Sequence, residues 1–210
     1  MTEKDYTMTF DEIKQRMETS LPQKRFSHVI SVVEEVQVLA DIFGADREAL
    51  TLAALLHDCT KPFSYAEHIA YAEEHTLSLS EDDVRSPEVL HARTGAVMAV
   101  KEYGLGEDVF SLIYCHCTAK EDMSLEEKIL FLSDYIEKTR THEICLKTRA
   151  EFYSELEKGN KSKTLDTTVL RVLINTVEHL KDKNMFIHSD TLRAIEFLKS
   201  EDCHETKKRT

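Results

Sequence analysis

The sequence predicts an all-α protein that forms a single domain. Its 210 residues include only 5 Gly and 3 Pro, and no segment alternates apolar and polar residues as a half-buried strand would. Capping-box spacing, a Ser or Thr three residues before a Glu, occurs instead at Thr9 with Glu12, Ser64 with Glu67 and Ser124 with Glu127. A chain of this length can bury a sizeable core without a second domain.

In the first half of the chain, capping residues, prolines and glycines bound the helices. Proline suits the first turn of a helix, and glycine suits the residue after its last turn. The expected helices lie at about 10–19 after Thr9, 22–43 between Pro22 and Gly44, 47–58 over the apolar run 49–56, 65–75 after Ser64, and 87–103 between Pro87 and Gly104.

The same kinds of signal predict the helices in the second half of the chain. Its expected helices lie at about 107–116, where apolar residues recur at helical spacing, 125–138 after Ser124, 142–158 before Gly159, 165–183 and 190–200. The longest expected loops are residues 76–86 and 117–124. We expect the domain to span residues 1–200 and the polar residues 201–210 to form a disordered tail.

Charge and composition exclude several classes of partner. The formal net charge is −12, and no basic stripe is present that could displace the counterions of duplex nucleic acid. No apolar run approaches the length of a membrane span, and the N-terminal segment carries no targeting signal. We therefore expect a cytoplasmic protein that binds neither duplex nucleic acid nor a membrane.

The cysteines fit a reducing compartment, because their number, 5, is odd and their spacing follows no disulfide framework. The segment Cys115-His116-Cys117 suggests a thiolate metal site. We do not expect one here, since neighbouring side chains in a helix point about 100° apart. A buried cysteine is commonly just a small apolar side chain.

The most informative feature is the pair His57-Asp58, which ends a segment, 49–56, that is apolar at almost every position. Charged groups are rarely buried without a partner. A divalent cation would be such a partner, because its charge offsets the desolvation that otherwise neutralises a buried carboxylate. A metal at this pair would need further ligands from elsewhere in the chain.

Four more candidate ligands lie in segments with helical apolar spacing: His28, His91, His116 and Asp134. Apolar residues at steps of three or four place His28, His116 and Asp134 on inward faces. For His91 the spacing is less decisive, although its small neighbours Ala92 and Gly95 would let another group come close.

Each of these residues taken alone has a simpler explanation, a core side chain hydrogen-bonded to a carbonyl. Four inward histidines and two inward aspartates cannot all be satisfied in that way, because an ionised carboxylate only accepts hydrogen bonds. A shared metal centre accounts for all six. The other histidines are expected to be solvated or locally bonded and without function: His68, His75, His142, His179, His188 and His204.

Imidazole and carboxylate ligands suit iron, manganese, cobalt or zinc, and without a thiolate set a closed structural zinc site is not expected. Six ligands fit two metals spanned by a carboxylate, for which Asp58 is the natural bridge. Such a pair activates water and binds phosphoryl oxygens, which predicts hydrolysis of a phosphate ester or anhydride. The cations near these ligands in sequence are Arg25, Lys61, Arg93, Lys120 and Arg140.

The ordered ligand set resembles the HD-domain metal phosphohydrolases, and its flanks resemble the YqeK-type bacterial members of that family. The likeness spans about residues 20–200. The matching segments are Arg25-Phe26-Ser27-His28-Val29, His57-Asp58-Cys59-Thr60-Lys61, Val89-Leu90-His91, Met123-Ser124, residues 128–140, and Ile187-His188-Ser189-Asp190-Thr191-Leu192.

The resemblance implies a single HD-domain helical fold and symmetrical bis(5′-nucleosyl)-tetraphosphatase activity, which cleaves diadenosine tetraphosphate into two ADP. It implies that the six residues above are the metal ligands, that iron is the first choice of metal, and that a hydroxide bound to both metals attacks a central phosphorus. By the same likeness Lys61 and Arg140 are expected to contact phosphate and to act in catalysis with Asp58, and Arg25 is a further candidate substrate contact.

The chain departs from the family pattern after His116. Cys117 stands where a Thr is expected, Ala119 where a Gly is expected, and Ser133 where an Ala usually precedes the Asp. The ligand set is intact, but the loop that would orient a nucleotide differs. Two alternatives stay open: another HD-type nucleotide phosphohydrolase or phosphodiesterase, and a non-catalytic nucleotide or metal sensor. A homodimer is open as well.

Overall fold

The computed structural model describes residues 8–207, with side chains described for residues 8–201. This part of the chain contains helices and turns and no β-strand, so the all-α prediction is confirmed. None of its helices combines the length and apolar character that crossing a membrane requires. The helices are α1 Phe10–Ser20, α2 Gln23–Phe43, α3 Arg47–Leu56, α4 Tyr65–Glu74, α5 Glu81–Arg85, α6 Leu90–Lys101, α7 Glu107–Cys115, α8 Leu125–Ile136, α9 Glu143–Leu156, α10 Lys161–Asp182 and α11 Ser189–Lys207, with a 3-10 turn at Pro87–Val89.

Most helix boundaries agree with the predicted ones to within a few residues, and one difference affects the candidate site. α3 ends at Leu56, so His57 and Asp58 lie in a turn rather than inside a helix. The expected loop 76–86 contains the short helix α5. α11 continues to Lys207, so the expected tail falls partly on helical residues, and residues 208–210 lie outside the described residues.

Local capping chemistry explains where several helices begin. All three predicted capping boxes form, at Thr9, Ser64 and Ser124. A fourth capping box forms at the start of α5, between Ser80 and Asp83. It was not predicted, because its acidic residue is Asp and not Glu. Each N-cap side chain contributes about 1 kcal/mol to stability.

The core lies between α2, α3, α7 and α8. α2 packs against α3 and α8, α3 also packs against α7, and α6 lies along α7. Each of these five helices carries a candidate ligand or is followed by one, so core packing brings the ligands together. The inner face of α2 is formed by Val29, Val32, Val36 and Leu39, and α3 is buried at almost every position from Ala49 to Leu56.

The turn after α3, residues 57–62, is held tightly against α6. Thr60 is fully buried, and its hydroxyl lies 2.9 Å from both the carbonyl oxygen of His91 and the hydroxyl of Thr94. Gly95 lies at this contact, where a Cβ would meet the Thr60 hydroxyl at 3.5 Å, an ordinary van der Waals distance. The hydrogen bonds of Thr60 therefore hold the His-Asp turn against α6.

A second buried polar cluster joins α5, α6 and the start of α11. Arg93 is only 1% exposed, and its Nε donates to Asp83 Oδ1 at 2.7 Å. The same carboxylate oxygen lies 3.2 Å from His188 Nε2. Burial alone would raise the pKa of Asp83, but the His188 hydrogen bond and the Arg93 charge hold it below its usual value. His188 and His68 are thus buried, and the expectation that they are solvated or only locally bonded is wrong.

We expect Asp83→Asn to lower the free energy of unfolding by about 3 kcal/mol, the lower end of the cost of breaking a buried ion pair. It removes the carboxylate at 2.7 Å from the buried Arg93 and leaves that charge with Asp190, whose Oδ2 lies 3.3 Å away. Asn keeps the size of the side chain and an oxygen that can still cap α5. Urea unfolding followed by circular dichroism measures the change. The matched control Glu81→Gln, at an exposed position of the same helix, should alter it by less than about 0.5 kcal/mol. Equal stability of the two variants would contradict the structural role of this ion pair.

Candidate metal centre

The structure brings the six predicted ligands into one cluster. They come from α2, the turn after α3, α6, the end of α7, and α8: His28, His57, Asp58, His91, His116 and Asp134. Asp58 lies at the middle of the cluster. Its Oδ2 is 3.5 Å from His57 Nε2 and 3.7 Å from His28 Nε2. Its Oδ1 is 3.2 Å from His91 Nε2, so the two oxygens of one carboxylate face different imidazoles.

The remaining distances divide the cluster into two adjoining groups. Asp134 Oδ1 lies 3.0 Å from His28 Nε2 and 3.9 Å from His57 Nε2. The Nε2 atoms of His91 and His116 lie 3.2 Å apart and form the second group. The groups meet at His116, which has a ligand atom within 4.8 Å of those of His57 and Asp134.

All four imidazoles are oriented by the same kind of hydrogen bond, which each ring makes through Nδ1. In each ring Nδ1 faces an oxygen that can only accept, so Nδ1 carries a proton, and a neutral ring protonated there keeps its lone pair on Nε2. This is the arrangement that usually orients metal-binding histidines. The hydrogen bonds join Nδ1 of His28 to the Glu137 carboxylate (3.0 Å), of His57 to the Ala54 carbonyl (2.7 Å), of His91 to the Glu88 carbonyl (2.8 Å) and of His116 to the Ile113 carbonyl (2.7 Å).

The inward Nε2 atoms fit a bound cation. Those of His28 and His57 are buried and have no hydrogen-bond partner among the described residues. Those of His91 and His116 face each other, and two facing lone pairs repel unless a cation lies with them. Buried imidazole nitrogens together with carboxylate oxygens match the ligand sets of zinc, iron, manganese and cobalt. The cluster could therefore hold metal.

The protonation states of four of the six residues also suit metal binding. His28 differs, because burial alone would lower its pKa but the hydrogen bonds with Asp134 and Glu137 raise it, so a metal would have to displace a proton there. Burial lowers the pKa of His57 and of His91, which keeps both rings neutral near pH 7. Burial alone would raise the pKa of Asp58, but His57 and His91 beside it hold that pKa well below its usual value. The pKa of Asp134 is held down in the same way, chiefly by its contact with His28. Both carboxylates are ionised and able to bind a cation.

Two of the predicted cations contact the carboxylates of the cluster. Arg25 donates to Asp58 Oδ2 at 2.7 Å, and Arg140 donates to Asp134 Oδ1 at 2.6 Å. Both arginine side chains remain about a third exposed, at 36% and 38%. Because a guanidinium carries five N–H donors, each side chain keeps donors for a further anion.

Lys61 lies beside His91, in the group that His91 and His116 form. Its Nζ lies 3.1 Å and 3.2 Å from the two ring nitrogens of His91. Lys120 does not take part, because its ammonium pairs with Glu127 at 2.7 Å. The Arg93 guanidinium is buried against Asp83. Neither Lys120 nor Arg93 is therefore available to an anion at this site.

A cavity of about 900 Å³ opens beside His28. Arg25 and Arg140 line it together with aromatic, aliphatic and amide side chains, among them Tyr135, Ile144 and Asn175. Ligand cavities commonly combine such apolar walls with a few charged groups, and this volume is typical of them.

Two residues at the cluster lie outside the predicted ligand set: Glu137 was not predicted at all, and Cys117 was considered and not expected to bind metal. Glu137 is fully buried at the end of α8, and its carboxylate fixes the His28 ring. It lies three residues after Asp134, at helical spacing, which is the signal that could have identified it. Cys117 has its Sγ 3.2 Å from the Nε2 atoms of both His91 and His116. The helix α7 ends at Cys115, so the helical spacing of about 100° between neighbouring side chains does not keep Cys117 away from His116.

Comparison with known proteins identifies the family. Residues 25–139, which include all six clustered ligands, match the HD domain family. The chain belongs to this family, and the resemblance seen in its sequence is confirmed.

Bacterial relatives and a solved structure cover nearly the whole chain. Three relatives carry the name bis(5′-nucleosyl)-tetraphosphatase, symmetrical. The one from Halalkalibacterium halodurans is 35% identical over 85% of this chain and 90% of its own length. Those from Staphylococcus aureus and Bacillus subtilis are 28% and 27% identical over 93% and 92% of this chain, and 97% and 99% of their own lengths. A crystal structure from Clostridium acetobutylicum, described as a predicted HD superfamily hydrolase involved in NAD metabolism, has a TM-score of 0.84 at 30% identity and covers 92% of this chain and 98% of that chain.

We expect Glu137→Gln to weaken zinc binding by about 10-fold to 100-fold, the usual cost of losing a carboxylate that orients a ligating histidine. Gln is similar in size, so the fold should persist. Competition with a chromophoric chelator measures the affinity. The matched control Glu35→Gln removes a half-buried carboxylate, whose partner is the Tyr153 hydroxyl at 2.6 Å, and should leave zinc affinity unchanged. Wild-type affinity in Glu137→Gln would show that Glu137 does not orient His28 for metal.

Proposed function

We propose that this protein hydrolyses diadenosine tetraphosphate symmetrically into two ADP at a dinuclear metal centre. The observation that carries the proposal is the cluster of four imidazoles with inward Nε2 atoms around two ionised carboxylates. The names of three relatives that align with at least 85% of the chain support the substrate class.

The distances favour a division of the ligands between two metal positions. His28, His57 and Asp134 would hold one metal, and His91 and His116 would hold the other. Asp58 would bridge them, since Oδ2 faces the first group and Oδ1 faces the second. Iron is our first choice, with manganese, cobalt and zinc as alternatives for the same nitrogen and oxygen donors. Two such cations lower the pKa of water and neutralise phosphoryl oxygens.

The cations of the chain supply the charge that a polyphosphate requires. Arg25 and Arg140 stand between the cluster carboxylates and the cavity of about 900 Å³, so we assign them to substrate binding on that side. Lys61 lies beside His91, in the other group. A chain of phosphates centred on the cluster would thus meet cations on both sides, which suits a substrate cleaved at its centre.

We assign catalytic roles to Lys61, Arg140 and Asp58. The two cations are placed to neutralise charge that builds up on the transferred phosphoryl group, where preorganised charge lowers the barrier most. The same cations raise the local concentration of an anionic substrate, which matters in a protein of net charge −12. The leaving group, ADP, departs readily as an anion, so no strong general acid is required.

Product analysis tests the function directly. Protein purified without oxygen and reloaded with iron or manganese should convert diadenosine tetraphosphate to ADP alone. In isotopically labelled water, one of each pair of ADP molecules should carry the label on its terminal phosphate. Asp58→Asn, whose neutral amide is a poor bridge between cations, should lose most activity and bind both metals more weakly.

The same experiment decides between the alternatives. Formation of ATP and AMP, or a clear preference for NAD, a nucleoside monophosphate, a deoxynucleotide or a cyclic dinucleotide, would assign the site to another phosphohydrolase or phosphodiesterase reaction. Tight nucleotide binding without turnover in metal-loaded protein would assign it to a sensor.

We expect Lys61→Met to lower kcat by about 100-fold with a smaller change in KM, because the charge acts mainly in the transition state. Methionine keeps much of the apolar stem. Steady-state kinetics on diadenosine tetraphosphate provides the measurement. Lys120→Met removes a lysine that is paired with Glu127, and its kinetics should match those of the wild type. If both variants behave alike, Lys61 is an ordinary surface charge.

A further inference from the structure

Cys117 is positioned differently from the other described cysteines. Cys59, Cys115 and Cys145 are buried. Cys117 is half-buried, and its Sγ lies next to the Nε2 atoms of His91 and His116. Burial raises the pKa of Cys59 and of Cys115, which is typical of cysteines that only fill space. Cys117 therefore needs a separate explanation.

The backbone after α7 turns the Cys117 side chain back toward the histidines. The amide of Ala119, whose φ of 58° is left-handed, donates to the Cys115 carbonyl at 2.8 Å. The Thr118 carbonyl accepts from the Thr191 hydroxyl at 2.8 Å, which ties the turn to α11. This turn is anchored at both points, so the position of Cys117 does not depend on a free loop.

The Cys117 sulfur completes a set of metal-binding atoms. Sγ and the Nε2 atoms of His91 and His116 lie within 3.2 Å of one another. Both Nε2 atoms hold lone pairs, because the Nδ1 atoms of these rings donate to carbonyls. These three atoms form one of the groups among the described residues whose spacing could hold a metal ion. The adjoining part of the cluster also has an unsatisfied metal-binding atom, since His57 Nε2 is buried without a hydrogen-bond partner among those residues.

We propose that Cys117 is a thiolate ligand of the metal position that His91 and His116 hold. This inference rests on the metal centre of the proposed function. On binding, a sulfur–metal bond forms and the thiol proton passes to solvent, with no change of oxidation state. The position then has two nitrogens, a sulfur and Asp58 Oδ1 as ligands, a donor set that suits zinc or ferrous iron better than manganese. The two metal positions would therefore differ in metal preference.

Cobalt(II) loading of the whole protein tests this assignment, because a thiolate bound to cobalt gives an intense near-ultraviolet charge-transfer band that nitrogen and oxygen ligands lack. We expect the band in the wild type and in Cys145→Ser, and we expect it to be absent in Cys117→Ser. Zinc affinity of the position held by His91 and His116 should fall by at least about tenfold in Cys117→Ser, because losing a direct ligand should cost no less than losing a residue that only orients one. Cys117→Thr, which restores the residue expected in this family, should behave like Cys117→Ser.

The outcomes separate this inference from the proposed function. Two cobalt equivalents bound by the wild type without the band, or a band that survives in Cys117→Ser, would overturn thiolate ligation and leave the dinuclear centre standing. Failure of the wild type to bind cobalt would overturn both. Loss of diadenosine tetraphosphate hydrolysis with the band intact would concern the proposed substrate alone.

Discussion

The structure depends on one constraint: four buried imidazoles each donate Nδ1–H to a fixed acceptor, so that their four Nε2 atoms converge. Three acceptors are backbone carbonyls three residues earlier in the chain, at Ala54, Glu88 and Ile113. These hydrogen bonds are local and inexpensive to form. The fourth acceptor is the buried Glu137 carboxylate. This convergence of imidazole nitrogens and carboxylates is what would let the cluster hold a metal ion.

The fold supports this cluster with buried polar contacts of its own. Thr60 binds the His-Asp turn to α6 through hydrogen bonds with His91 and Thr94. Arg93, buried with Asp83, joins α5 to α6. Breaking a buried pair of this kind costs several kcal/mol because one charge is left uncompensated. The cluster is thus built on rigid helices and helix ends, which is the support that precise metal geometry needs.

The molecule is acidic as a whole, but at the cluster the carboxylates have cations beside them. The net charge is −12, yet Arg25, Arg140 and Lys61 all lie within hydrogen-bond distance of cluster ligands. Each therefore neutralises part of the ligand charge and still has donors left for an anion. Cys117 adds a thiol on the His91 side only, so the two halves of the centre differ chemically even though one carboxylate joins them.

The sequence by itself determined the helical class, most of the helix boundaries and the six clustered residues, because apolar periodicity and capping are local properties that neighbouring residues encode. Family resemblance added the order of the ligands and the candidate cations. Tertiary structure alone decided that Glu137 orients His28 across 109 residues, that His188 meets Asp83 across 105, and that Arg93 is buried while Arg25 reaches the cluster. It also placed Cys117 against two imidazoles, because α7 ends two residues earlier and the helical spacing that argued against a thiolate no longer holds. Spacing along the chain specifies a face of one helix, whereas these contacts arise only where several helix ends meet.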